Sequence, residues 1–76
     1  MAIKAYILIN VVATNISETL KVMRKVDGVK LADAVTGPYD AIVQIEADDV
    51  NELGRIVTSG LLKVSGVTKT LTCIAV

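Results

Sequence analysis

The sequence predicts an α+β fold in which four antiparallel strands form one sheet and two helices cover one face of it, in the chain order βαββαβ. Two observations predict it. Strand-like and helix-periodic apolar stretches follow one another in that order, and a Lys-Val-x-Gly-Val turn occurs twice, at residues 25–29 and 63–67. Each turn follows a predicted helix and precedes a predicted strand. Right-handed crossovers in both halves then give the ferredoxin-like plait.

The first half of the chain contains a strand, a helix and a second strand. Ile, Val and Leu dominate residues 3–12, which predicts a strand. Asn15 or Ser17 then offers a helix N-cap, and Gly28 can take the left-handed conformation that ends such a helix. The apolar stripe of this helix consists of Ile16, Leu20, Met23 and Val26. The second strand is expected over residues 29–36.

The second half repeats this order after a loop that contains the only proline of the chain, Pro38. Residues 41–47 alternate between apolar and polar positions and form the third strand. Asp48 is expected to cap the second helix. Gly54 and Gly60 inside it each cost about 1 kcal/mol relative to Ala, so they either admit another backbone or shorten the helix. Its buried stripe is Val50, Leu53, Val57, Leu61 and Val64.

Residues 67–76 form the closing strand, and alternation divides the whole sheet into two faces. The core row of the first strand is Ile3, Ala5, Ile7, Ile9 and Val11. The opposite face is assigned Tyr6, Leu8, Asn10, Ile42, Gln44, Glu46, Thr68, Thr70, Thr72 and Ile74. Because that face is too apolar for full exposure, we expect two copies to pair their sheets as a dimeric α/β barrel. A solvated sheet is the alternative.

Composition limits the classes of function. The 76 residues form one domain, residues 1–76, and a hydrophobic content of 53% in so small a chain favours an oligomer. Eight Lys plus Arg balance eight Asp plus Glu, and the two Tyr are the only aromatic residues, which argues against direct nucleic-acid binding. No apolar run is long enough to span a membrane, and a cytoplasmic location is expected.

Catalytic chemistry has few candidate residues. The sequence has no His and a single Cys, Cys73, so it lacks the commonest general base and any cysteine pair that could hold a metal ion. Cys73 falls in a predicted strand and is expected to be buried and inert. We therefore expect no enzyme activity, no cofactor and no metal site.

Residues 36–40, Thr-Gly-Pro-Tyr-Asp, are the segment best suited to bind a ligand. In a purely structural interpretation they form a hairpin turn in which Asp40 bonds to the local backbone and Tyr39 buries its ring. In a functional interpretation Asp40 binds an ammonium group, while backbone N–H groups around Gly37 hold a carboxylate. Both charged groups of a free amino acid would then be matched. The residues by themselves leave both interpretations open.

Four segments carry a resemblance to a known family: residues 5–10 (Ala-Tyr-Ile-Leu-Ile-Asn), 26–29 (Val-Asp-Gly-Val), 35–40 (Val-Thr-Gly-Pro-Tyr-Asp) and 67–72 (Val-Thr-Lys-Thr-Leu-Thr). Together they resemble the effector-binding domain of the leucine-responsive/asparagine-responsive (Lrp/AsnC) transcription regulators, also called the RAM domain. The resemblance covers essentially the whole chain, and its most specific part is the Val-Thr-Gly-x-Tyr-Asp stretch.

The resemblance implies dimers that assemble into rings, with amino acids bound in clefts between dimers. The ligand-binding residues it implies are Thr36, Gly37, Tyr39, Asp40, Thr70 and Thr72. Because this sequence begins at the first strand, whereas the regulators carry an N-terminal helix-turn-helix, the expectation is a RAM protein without a DNA-binding domain that acts in the regulation of amino-acid metabolism or transcription. Its partners would be an amino acid, further copies of itself and a full-length regulator. A dimeric α/β-barrel enzyme acting on a small apolar substrate and a ligand-free assembly partner remain as alternatives.

Overall fold

The order of elements in the structure, a computed structural model that describes residues 2–12 and 15–76, is βαββαβ. The strands are β1 (Ile3–Val11), β2 (Val29–Ala34), β3 (Ala41–Ala47) and β4 (Val67–Ile74). The helices are α1 (Ile16–Arg24) and α2 (Val50–Arg55), and α2 continues as a π-helical turn (Ile56–Gly60) and a 3-10 turn (Leu61–Lys63). The predicted ferredoxin-like fold is confirmed, with β1, β2 and β4 ending one or two residues earlier than expected.

The sheet is antiparallel throughout, in the order β2-β3-β1-β4. The two inner strands, β3 and β1, are the first strands of the two halves, and β2 and β4 form the edges. No helix in the described part of the chain is long and apolar enough to cross a membrane.

The core lies between one face of the sheet and the helices. Ala5, Ile7 and Ile9 of β1 are completely buried, as the predicted core row requires, and Ile3 and Val11 pack against the margin of the core. The helical residues that cover them are Leu20, Met23, Leu53, Ile56, Val57, Leu61 and Val64. Val50 was predicted to belong to the buried stripe of α2, and this prediction is wrong. It lies in the first turn of α2, beyond the core, and is 60% exposed.

Each helix is capped by an acidic or amide side chain. Asn15 caps α1, since its Oδ1 accepts hydrogen bonds from the N–H groups of Ser17 and Glu18. The cap of α2 is Asp49 and not Asp48 as predicted: Asp49 has an extended backbone, and its Oδ1 accepts from the Glu52 N–H at 2.8 Å. Adjacent aspartates look equivalent in the sequence, and only the backbone conformation separates them.

The glycines that end or interrupt the helices have different neighbours. Gly28 has φ of +96°, which confirms the left-handed stop after α1. At Gly60 an added Cβ would lie 2.6 Å from Cγ1 of Val26, so this glycine permits close packing of the π-helical turn on the segment that follows α1. At Gly54 nothing lies within 4 Å of such an atom.

Strand register corrects the predicted faces of β4. Thr70 lies opposite Ile9, Thr72 opposite Ile7 and Ile74 opposite Ala5, so these three share the face of the core and not the face of Tyr6. The register shifts between Asn10 and Val11, where Thr68 is the extra residue of the β4 bulge. A shift of one residue exchanges the two faces, and alternation in the sequence does not reveal it.

The face turned away from the helices is called the open face below. By register its members are Lys4, Tyr6, Leu8, Asn10, Leu31, Asp33, Ile42, Gln44, Glu46, Lys69, Leu71 and Cys73. The expectation of a buried Cys73 is wrong, because the thiol lies on this face of an edge strand and is exposed.

Candidate ligand site at the β2–β3 loop

The β2–β3 loop is held to the end of β1 by Asp40. The Asp40 N–H donates to the carbonyl of Ile9 at 2.9 Å, and its own carbonyl accepts from the Val35 N–H at 3.0 Å. Its carboxylate Oδ2 accepts from the Val11 N–H at 3.0 Å. Ile9–Ala41 is the last pair of the β1–β3 ladder, so this carboxylate supplies Val11 with the acceptor that β3 no longer provides. The side chain thus bonds to a distant strand, whereas the structural interpretation expected a bond within its own turn.

Asp40 also lines an open cleft with a volume of about 550 Å³, which we call the loop cleft. The cleft forms where the end of β1, the start of α1 and the β2–β3 loop meet. Its lining residues are Val11, Ile16, Ala34, Val35, Thr36 and Asp40.

The lining of the loop cleft combines one charge with apolar walls. Val11, Ile16 and Val35 are half-buried, whereas Asp40 is exposed. Its second carboxylate oxygen, Oδ1, makes no hydrogen bond to another described residue. A carboxylate beside apolar walls can hold a cationic group that carries a small apolar tail.

The structure brings Thr36 and Asp40 together in the loop cleft. Gly37 and Tyr39 belong to the same loop but are not among the residues that line the cleft. Gly37 is exposed, with φ of +146°, a conformation that favours glycine, although an added Cβ would meet nothing within 4 Å. Tyr39 is half-buried, so the predicted burial of its ring is partial.

Thr70 and Thr72 lie apart from this site within one chain. They occupy β4, opposite Ile9 and Ile7, whereas β3 flanks β1 on its other side. Two strand spacings, about 10 Å, separate Thr70 from the start of β3 at Ala41. Neither threonine is among the residues that line the loop cleft.

Sequence reasoning missed the apolar walls of the cleft. The sequence places Val11 in the predicted core row, Ile16 in the helix stripe, and Ala34 and Val35 in the second strand. In the structure all four line the cleft. Their apolar character was visible, but their convergence depends on the register shift beside Val11 and on where α1 begins. Among residues 2–12 and 15–76, no three His, Cys, Asp or Glu side chains cluster as metal ligands.

A groove between α1 and the π-helical turn is smaller and contains none of the predicted site residues. Its volume is about 410 Å³, and Asp27, Arg55 and Lys63 are its charged lining residues. Val22, Val26 and Val64 contribute apolar lining beside these charges.

The chain is similar to ligand-binding domains of regulators. The family model of the Lrp/AsnC ligand binding domain matches residues 4–76. The protein TTHA0845 from Thermus thermophilus is 32% identical, with a TM-score of 0.90 over 97% of this chain and 92% of that one. The transcriptional regulator NMB0573 from Neisseria meningitidis, solved as a complex with L-Met, shares the fold at 22% identity, with a TM-score of 0.84 over 97% of this chain and 49% of that one.

The chain is also similar to part of an enzyme. The homocitrate synthase of Sulfurisphaera tokodaii is 40% identical over 63 residues, which are 83% of this chain and 13% of that protein. The similarity therefore concerns a small segment of the synthase and not its whole length.

Proposed function

The chain belongs to the Lrp/AsnC ligand-binding domain family, and from that membership we propose that it binds a free amino acid, or a closely related metabolite, in the loop cleft. The observation that carries the proposal is the position of the Asp40 carboxylate beside the apolar walls of that cleft. Such a site matches the two chemically different parts of an amino acid with an apolar side chain: its ammonium group and its hydrocarbon.

The pose follows from charge and polarity. The ammonium group of the ligand pairs with Asp40, whose Oδ1 faces no described partner. The side chain of the ligand packs on Val11, Ile16 and Val35. The carboxylate of the ligand accepts hydrogen bonds from backbone N–H groups near Gly37.

A neighbouring copy completes the site in this proposal. The loop cleft is open to solvent, and a small-molecule site normally covers most of its ligand. We assign Thr70 and Thr72 to the neighbouring copy, since one chain holds them about two strand spacings from the loop, near 10 Å. An amino acid bound between copies then favours the assembled state, because it binds that state better than the separated chains. The regulatory output would pass to a full-length regulator of the same family through mixed assembly.

Thermal unfolding with each of the twenty amino acids tests this proposal. A ligand that binds only the folded chain raises the unfolding temperature progressively with concentration. Methionine belongs in the first round because the Neisseria regulator of the same fold was solved with L-Met. Light scattering on the stabilised samples should then show a larger assembly. If no amino acid raises the unfolding temperature at millimolar concentration, the proposal is wrong.

Asp40→Asn separates the binding role of this residue from its structural role. The amide oxygen can still accept from the Val11 N–H, but the charge that attracts an ammonium group is gone. We expect the affinity for the stabilising amino acid, measured by calorimetry, to fall at least about tenfold, with little change in unfolding temperature. Asp40→Ala also removes the acceptor and should lower the free energy of unfolding by about 1 kcal/mol.

Asp48→Asn is the matched control, because this exposed carboxylate neither caps α2 nor lines the cleft. It should bind the amino acid as the unmodified chain does. Unchanged affinity in Asp40→Asn would remove Asp40 from the site, even if the amino acid still binds.

A second candidate function is favoured by the similarity to homocitrate synthases. In this alternative the domain senses an amino acid and controls a biosynthetic enzyme instead of a regulator. Deleting the chain from its cell and titrating the homocitrate synthase activity of the extract with amino acids tests it. Loss of amino-acid inhibition, restored by adding the purified chain, supports this candidate, and unchanged inhibition contradicts it.

A further inference from the structure

One peptide group of β1, between Asn10 and Val11, accepts and donates a side-chain hydrogen bond. Its N–H, which belongs to Val11, donates to Oδ2 of Asp40 at 3.0 Å. Its carbonyl, which belongs to Asn10, accepts from the hydroxyl of Thr68 at 3.1 Å. Because the N–H and the carbonyl of a trans peptide point to opposite sides of a strand, one bond is made on the β3 side of β1 and the other on the β4 side. The Asn10–Val11 peptide therefore connects Thr68 to the Asp40 carboxylate through two consecutive hydrogen bonds.

Both hydrogen bonds lie where the regular pairing of β1 stops. On one side, Ile9–Ala41 is the last pair of the β1–β3 ladder. On the other side, the β1–β4 register shifts between Asn10 and Val11, and Thr68 is the extra residue of that bulge. Bulges are over-represented beside functional sites, where they change the direction of a side chain. Two side chains thus bond this peptide at the point where the regular ladders end.

The backbone around this peptide is held by its own hydrogen bonds. The Val12 N–H donates to the carbonyl of Gly66 at 2.7 Å, and the Asp40 N–H donates to the carbonyl of Ile9 at 2.9 Å. These bonds hold the strand and the main chain of Asp40 but not its side chain. The hydrogen bond that the Asp40 carboxylate makes within the described part of the chain is to the Val11 N–H. The orientation of the carboxylate therefore depends on the orientation of this peptide.

We propose that Thr68 is a positioning residue for the loop cleft: through the Asn10–Val11 peptide, it holds the Asp40 carboxylate with Oδ1 available to a cationic group. Thr68 does not line the cleft itself. Consecutive hydrogen bonds polarise one another, so the hydroxyl on the Asn10 carbonyl also makes the Val11 N–H a better donor to Asp40. The effect on ligand affinity rests on the proposed function, whereas the effect on the carboxylate does not.

Thr68→Val tests this role, because valine keeps the branched shape and the strand preference of threonine and lacks the hydroxyl. We expect this variant to bind the stabilising amino acid about three- to fivefold more weakly in calorimetry, since the loss of one hydrogen bond loosens the Asp40 carboxylate. Thr68→Ser keeps a hydroxyl that can donate to the Asn10 carbonyl. It should bind the amino acid as the unmodified chain does.

Thr58→Val is the matched control. Thr58 is exposed, and its hydroxyl also donates to a backbone carbonyl, that of Gly54 at 2.9 Å, but it lies in the π-helical turn. This variant should lose about as much stability as Thr68→Val and keep the affinity of the unmodified chain. If Thr68→Val binds the amino acid no more weakly than Thr58→Val does, Thr68 contributes only to stability and the proposal is wrong.

A double-mutant cycle with Asp40→Asn shows whether Thr68 acts through Asp40. In the Asp40→Asn background the charge that the peptide orients is absent, so Thr68→Val should weaken binding by less than about twofold further. The same three- to fivefold loss in both backgrounds would mean that Thr68 affects the ligand by another route. That result would overturn the proposal.

Amide hydrogen exchange in the free chain tests the connection without a ligand. Thr68→Val should lower the protection of the Val11 amide proton about three- to tenfold relative to that of Val35, whose N–H donates to the main-chain carbonyl of Asp40. Thr58→Val should leave this ratio unchanged. An unchanged ratio in Thr68→Val would overturn the inference even if amino acids bind. If no amino acid binds but the ratio falls, the proposed function is wrong and the positioning of Asp40 by Thr68 stands.

Discussion

Gly54 and Gly60 lie in the same helical segment but differ in what an added Cβ would contact. Both lie in the segment of helical turns after β3, and neither has a positive φ. Replacement of Gly60 by Ala would place a methyl group 2.6 Å from Cγ1 of Val26, whereas the position beside Gly54 is open. Because a β-branched valine has few alternative rotamers, Val26 cannot easily withdraw.

We predict opposite effects for the two alanine substitutions. Gly60→Ala should lower the free energy of unfolding by about 1–3 kcal/mol through overpacking against Val26. Gly54→Ala, the matched control, should raise it by up to about 1 kcal/mol, because Ala is the better helix former. Urea denaturation measures both, and Val26→Ala in the Gly60→Ala background should recover part of the loss. A Gly60→Ala chain as stable as the original would show that the contact relaxes freely.

Contacts between residues that are far apart in the chain also limit what the sequence can predict at the loop cleft. The residue types of the loop, a carboxylate with a hydroxyl and a flexible glycine, were enough to nominate Thr36 and Asp40, and both line the cleft. They were not enough to show that Asp40 bonds to Val11, because these residues are 29 positions apart in the chain. Composition and spacing reveal functional groups that lie close together in the sequence. Contacts between strands can be predicted only when the strand register is known.

Individual elements were predictable in order and type, but less so at their ends. Turn residues and apolar periodicity located every strand and helix, since these depend on neighbouring residues. The end of α2 was not predictable. The Leu61 N–H donates to the carbonyl of Ile56, which makes a π-helical turn, and this turn brings Gly60 against Val26. Such a turn is stabilised by tertiary packing and leaves no clear sequence signal.

The N-cap of α2 can be tested by substitution of the two adjacent aspartates. Asp49→Ala removes the oxygen that accepts from the Glu52 N–H and should lower the free energy of unfolding by about 1 kcal/mol. Asp48→Ala removes the same charge one residue earlier but no capping hydrogen bond, so it should leave the free energy of unfolding nearly unchanged. Chemical denaturation of both variants decides between the two aspartates. Equal losses would mean that charge near the helix, and not the capping hydrogen bond, is responsible.

The sheet and its helices leave one broad surface uncovered. The chain is 53% hydrophobic, yet its helices cover only one face of the sheet. A domain of this size buries only about 60% of the surface that its unfolded chain exposes, so further apolar burial requires a partner. The sequence predicted this mixed second face correctly for β1 and β3. It misplaced Thr70, Thr72 and Ile74, because one bulge exchanges the two sides of β4.

Two exposed apolar residues of similar exposure allow this surface to be tested against the rest of the molecule. Leu71 on the open face is 45% exposed and lies opposite Leu8, while Val22 on α1, beside the groove between α1 and the π-helical turn, is 50% exposed. A carboxylate at either position changes the free energy of unfolding of the single chain little, about 0.5 kcal/mol. Between two packed sheets, however, a carboxylate introduced at position 71 loses its water without gaining a partner.

We therefore predict that Leu71→Glu shifts the chain to a monomer at concentrations where the unmodified chain and Val22→Glu remain associated. Sedimentation velocity over a range of concentrations measures this directly, and thermal unfolding verifies that both variants are folded. If Val22→Glu dissociates instead, the copies associate through their helices. In that case the open face would remain available to a partner other than a second copy.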